Sequence, residues 1–224
     1  MAPSVDTMKQ AAACVSRILG ENQIEHAFIG GFALRMLGHE RSTIDIDVEI
    51  GIDNAQEMRS LVTRVLRDAD SRFVVSHMKL FFVLVGNGQL RVPVETLARG
   101  ALNLPRQLPV ICPGDASVPI LLPGVLILTK IKRCTLYIGR TPPQSIAKHL
   151  NDVRDIIHLL YWLVNHEQKI DFAAYDAAFP DRLYEAVRKL GNRWVEREQH
   201  EDVALLDRVL EDGDKTVIMD YAAG

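Results

Sequence analysis

Gly30, Gly31, Asp45 and Asp47 are residues of the types, and at the spacing, that can hold a metal-bound polyphosphate. The glycines follow the apolar run Ala27-Phe28-Ile29, and adjacent glycines let a backbone approach phosphate oxygens with no Cβ in the way. The block Arg41-Ser42-Thr43-Ile44-Asp45-Ile46-Asp47 comes a short gap later. A strand is expected over 44–50, so Asp45 and Asp47, two apart, share a face while Ile44, Ile46 and Val48 turn toward the core. Two carboxylates beside such a turn can hold Mg²⁺ against a nucleoside triphosphate. Each part alone has an ordinary reading: a glycine pair is usually a turn, and Asp-x-Asp is often a solvated edge. Strands disfavour Asp, however, and here a glycine turn, a short helix and an Asp-bearing strand come in the order the chemistry needs.

These residues resemble the motif of the polymerase-β-like nucleotidyltransferase superfamily, over 27–50 with weaker echoes near 89–95 and 130–155. The Arg-x-Thr-x-Asp-Ile-Asp form is similar to the small stand-alone branch, which includes antibiotic-modifying and abortive-infection-toxin nucleotidyltransferases. The resemblance implies an enzyme that transfers a nucleoside monophosphate from an NTP to an acceptor hydroxyl and releases pyrophosphate. It also implies Mg²⁺ or Mn²⁺ as cofactor, with Asp45 and Asp47 as catalytic metal ligands. Two metals on a triphosphate need a third acidic side chain, and Glu95 is the candidate, at the end of an expected strand over 89–95. The family usually places Asp there, one methylene shorter; the ordinary reading is an exposed glutamate ending a strand. The expected nucleotide-binding residues are Gly30, Gly31, Arg41, Ser42, Thr43, Lys130, Lys148 and Asp152. Lys148 and Asp152 stand at i and i+4, so Asp152 could orient Lys148 toward a phosphate; a solvated salt-bridged face is the equal alternative. Arg41 could bind phosphate or form a structural ion pair.

The elements that must position these groups are readable from periodicity. A helix is expected over 6–20, capped by Asp6 or Thr7, and another over 32–37, ended by Gly38. Asp53 or Asn54 caps a helix to about Asp68, and strands follow over 72–76, 79–85 and 89–95, with Asn87-Gly88 as a hairpin signal. The proline- and glycine-rich stretch 100–124 reads as a surface crossing with a short strand at 118–121. Helices are expected over 124–135, 143–165, 171–178, 180–190 and 193–211. The fold class is α+β: a mixed-sheet nucleotidyltransferase core over 1–122, then a helical domain over 123–224 that closes the nucleotide cleft.

Composition narrows the partners. With 48% hydrophobic and 25% charged residues among 224, the chain can bury a substantial core as a soluble protein. A formal net charge of −3 argues against a generic polyanion binder, so a small-molecule or protein acceptor is favoured over nucleic acid, a tRNA end remaining possible. Three separated cysteines without Cys-x-x-Cys suit reduced thiols, and the absence of a signal-like or membrane-spanning run leads to a cytoplasmic expectation with no membrane partner. Gly-x-Ser-x-Gly, Walker-type Gly-Lys-Ser/Thr and His-Glu-x-x-His motifs are absent, which leaves hydrolase, P-loop and zinc-protease readings unsupported. Two alternatives stay open: a nucleotide-binding regulator that kept the fold without turnover, and a toxin-like enzyme acting on a tRNA end.

Overall fold

The computed structural model describes residues 3–84, 90–114 and 117–220; the Asn87-Gly88 hairpin signal lies outside them. The chain divides into two compact units, Met1–Leu102 with Gln107–Leu122, and Asn103–Arg106 with Pro123–Gly224. The architecture is α+β: a mixed sheet in the first unit and helices in the second.

In the first unit, α1 (Val5–Glu21) begins at Ser4, whose hydroxyl accepts from the Thr7 amide at 3.2 Å. The cap is therefore Ser4, not Asp6 or Thr7. Met8, Ala11, Ala12, Val15, Ile18 and Leu19 recur at helical spacing and are buried. α3 (Ala55–Ala69) is capped by Asn54, which accepts from the amides of Gln56 and Glu57, both at 3.0 Å. The two helices pack on each other and on β5 (Leu90–Ala98) through Met58, Val62 and Leu66 of α3.

The sheet runs β3 (Phe73–Ser76), β4 (Lys79–Leu84), β5, β2 (Ile46–Ile50), β1 (His26–Ile29), β7 (Ile120–Leu121), β6 (Val110–Ile111). β2 lies antiparallel to β1 and parallel to β5; β4 and β5 pair antiparallel. Phe28 and Phe32 meet edge-on at 5.5 Å in the core beside Ile46 and Val48.

Two expectations about this sheet need correcting. β2 starts at Ile46, and Ile44 is 59% exposed, not core-facing. The β2–β5 ladder opens at the pair Ile46↔Val94, so residues before it lack the alternating burial that a paired strand imposes. β5 also continues to Ala98, which places Glu95 inside the strand and not at its end. Pro93 is tolerated in this central strand one step before its ladder with β2 begins, while β4 pairs it through Phe81.

The second unit contains α4 (Pro123–Thr135), α5 (Pro143–Asn165), α6 (Phe172–Tyr175), α7 (Pro180–Glu196), α8 (His200–Val209) and α9 (Asp212–Asp220). α4 is buried nearly all round and packs on α5, α6 and α7. Gly191-Asn192 does not break α7: Leu190 and Trp194, four apart and both buried, carry the packing face through it, and the helix ends at Glu196.

Candidate metal centre

β1 ends at Ile29, whose cross-strand partner is Asp47. The chain then turns through Gly30, at φ +68°, into α2 (Gly30–Met36), which ends before Gly38 at φ +87°. A Cβ on Gly30 would collide with Asp47 Oδ2 and lie 2.9 Å from its Cγ. Glycine is therefore required at this position twice over, by the left-handed backbone and by the carboxylate against it. One residue on, a Cβ at Gly31 would lie 2.8 Å from Thr43 Oγ1 and 3.6 Å from Arg41 Cζ.

The carboxylates come from two parallel strands. Asp47 and Glu95 are register partners across β2 and β5, and Asp45 sits immediately before β2 on the face of Asp47. Ligand oxygens of Asp45, Asp47 and Glu95 all lie within 4.8 Å of one another; the two aspartates are half-buried and the glutamate is exposed. Glutamate's extra methylene is thus compatible with the cluster, because strand register brings its backbone level with Asp47. Such a set of hard oxygen donors suits a divalent cation such as Mg²⁺ or Mn²⁺.

Around the cluster, Thr43 Oγ1 donates to Asp45 Oδ1 at 3.0 Å. Lys79 Nζ, at the start of β4, stands 4.0 Å from Glu95 Oε1 as an exposed pair. Lys79 escapes a reading of the sequence because its place beside Glu95 follows from the β4–β5 register, in which Leu80 faces Val94. Ser42 is exposed and Arg41 half-buried. Glu49, next along the face of Asp47, is fully buried and accepts from the Gly100 amide at 3.1 Å.

The first unit thus brings together Gly30, Gly31, Arg41, Thr43, Asp45, Asp47 and Glu95. Lys130, Lys148 and Asp152 belong to the helical unit and are held there differently. Lys130 Nζ bonds Asp155 Oδ2 at 2.9 Å, with both side chains nearly inaccessible. Burial pushes the Lys130 ammonium below its ordinary pKa, against the opposing pull of Asp155. Asp152, wholly buried, receives a two-pronged bond from Arg133, including Nε to Oδ2 at 2.9 Å. Asp152 and Asp155 therefore tie α5 to α4 and are not a solvated face. Lys148 is exposed, its ammonium 5.8 Å from the Tyr137 ring centre. Beside Arg133, Cys134 has its thiol pKa pushed up to about 12, first by burial and then by the Asp152 charge.

No family model and no curated protein matches the sequence. Among solved structures, the crystal structure of an antigenic nucleotidyltransferase-like protein from Paracoccidioides brasiliensis is similar, with a TM-score of 0.66 and 18% identity over 92% of this chain and 94% of that one. At that identity the likeness is one of architecture, and it spans the helices as well as the sheet. The chain has a nucleotidyltransferase-like fold, with a mixed-sheet core followed by a helical C-terminal half.

Proposed function

We propose that this protein is a metal-dependent nucleotidyltransferase that moves a nucleoside monophosphate from an NTP to an acceptor hydroxyl. The observation that carries the reading is the convergence of Asp45, Asp47 and Glu95 within 4.8 Å, on a sheet whose Gly30 turn closes on Asp47. The three carboxylates would hold Mg²⁺ or Mn²⁺. When bound there, a divalent cation neutralises triphosphate charge and lowers the pKa of the acceptor hydroxyl.

The protein's own groups do the positioning. The Gly30–Gly31 backbone lies against Asp47 and Thr43, so its amides would meet the β- and γ-phosphate oxygens beside the carboxylates, and Arg41, beside Gly31, adds positive charge. The acceptor oxygen bonds to the α-phosphorus as the α–β bridging bond breaks, and pyrophosphate leaves. A carboxylate oxygen of Asp47 or Glu95 takes the acceptor proton. Placement and charge complementarity supply most of the rate enhancement in such a site. A regulator without turnover would draw its support from Glu95 in place of Asp, but Glu95 lies within the cluster.

The test is release of pyrophosphate, with transfer of α-labelled phosphate, from each of the four NTPs in a cell extract containing Mg²⁺ or Mn²⁺. Transfer that requires the metal and is lost in Asp47→Asn supports the reading. Nucleotide binding without label transfer for every NTP would turn it toward the regulator.

A further inference from the structure

We infer that Thr43 is a positioning residue of the metal centre: its hydroxyl fixes the Asp45 carboxylate and sets which oxygen Asp45 turns to the cation. This rests on the metal site proposed above and reassigns Thr43 from nucleotide ligand to carboxylate partner. Asp45 precedes the first residue of β2 and follows the exposed Ile44, so no strand ladder orients it. What holds its side chain is the 3.0 Å bond from Thr43 Oγ1 to Oδ1. A hydroxyl has one proton, so this bond leaves Thr43 none to donate to a phosphate.

The hydroxyl is itself held in place. The Gly31 backbone closes on it so tightly that an added Cβ would stand 2.8 Å from Oγ1 and 3.0 Å from the Thr43 Cβ. A β-branched side chain has few χ1 choices, so this approach favours one rotamer. Gly31, Thr43 and Asp45 form a relay in which the glycine turn determines the pose of a metal ligand two steps away. Hydrogen-bond partners of ligating groups tune metal affinity by roughly 10–100-fold.

The test is titration of the full chain with Mn²⁺ alone, followed by electron paramagnetic resonance, with thermal midpoints measured in parallel. Thr43→Val, which keeps the shape and loses the hydroxyl, should weaken Mn²⁺ binding about tenfold, while Thr43→Ser stays within about twofold of wild type. Equal affinity for Thr43→Val and wild type would overturn the inference, as would equal weakening of the Val and Ser variants. If Thr43→Val does not fold, Thr43→Ala takes its place. A second measurement concerns the relay: Gly31→Ala should weaken Mn²⁺ binding in the native background and add little in Thr43→Ala. Additive losses would show that Gly31 does not act through Thr43. Mn²⁺ binding that Asp47→Asn leaves unchanged would remove the metal site itself, and this inference with it; an effect of Asp47→Asn without one of Thr43→Val would remove the inference alone.

Discussion

Gly30 is the residue at which backbone conformation and site chemistry meet. Gly30→Ala places an L-residue at φ +68°, a strain of about 1–2 kcal/mol, and drives a methyl group into Asp47. The expected result is lowered stability on chemical denaturation together with loss of Mn²⁺ binding; loss of stability alone would show that Asp47 can yield without consequence. The aspartates should behave in the opposite way. Asp45→Asn and Asp47→Asn are each expected to abolish pyrophosphate release, a loss on the order of several kcal/mol of transition-state stabilisation. Their folding stability should hold or rise, since each substitution relieves repulsion among crowded carboxylates. Near-native turnover in either variant would place the active centre elsewhere. At this scale Gly30, Gly31, Asp45 and Asp47 could be read from their types and spacing. The Thr43–Asp45 bond and the Lys79–Glu95 pair could not, because side-chain direction and strand register decide them.

Between elements, the joint of α4 with α5 includes one ion pair, Lys130–Asp155, that water barely reaches. Lys130→Met removes the cation bonded to the buried Asp155 carboxylate and should cost about 3–5 kcal/mol in chemical denaturation. The double variant Lys130→Met/Asp155→Leu should recover most of that, because two apolar side chains carry no desolvation penalty. A double variant no more stable than the single one would mean the pair has a further role in the helical unit. A second joint links α1, the end of α3 and the start of β3. Arg72 holds the Asp70 carboxylate at 2.6 Å and lies over the Phe82 ring, and Cys14 donates to the same carboxylate at 3.2 Å. Arg72 and these bonds hold the Asp70 carboxyl well below the usual carboxylate range. The unfolded chain therefore takes up this proton first, so the contribution to stability is full above the ordinary carboxylate pKa and is lost as pH falls below it. Asp70→Asn should flatten the acid limb of a stability–pH profile relative to wild type. Elements with strong amphipathic stripes, such as α1 and α3, were legible in the sequence. The length of α7 was not, because Gly191 reads as a stop until Leu190 and Trp194 are seen buried on either side of it. β6 was hidden in a proline-rich stretch, since a two-residue strand has no period to detect.

For the whole molecule, charge bears on the acceptor. A formal net charge of −3 gives no general attraction for a polyanion, and two cations of the basic run, Lys130 and Arg133, are committed to buried carboxylates. Label from an α-labelled NTP is therefore expected in the metabolite or protein fraction of an extract. Label confined to RNA, with binding that falls steeply as salt rises, would point to a tRNA end instead. Among the described residues no helix is long and apolar enough to cross a membrane. The α+β class was legible because a run of strands gives way to a run of helices. The strand order was not, since placing β2 between β1 and β5 depends on long-range pairing that no local pattern encodes.

The parallel pairing of β2 with β5 also has a kinetic consequence. Asp47 and Glu95 become neighbours only when the loop of chain that carries α3, β3 and β4 closes, and such non-local contacts slow folding. The carboxylate cluster therefore exists only where β2 and β5 are paired, and a cation that binds it favours that pairing. At a hundred times its dissociation constant, such a cation would add about 2.7 kcal/mol to stability by mass action. In a refolding time course, Mn²⁺ capture should follow the pairing of β2 with β5, so that the metal reports that closure.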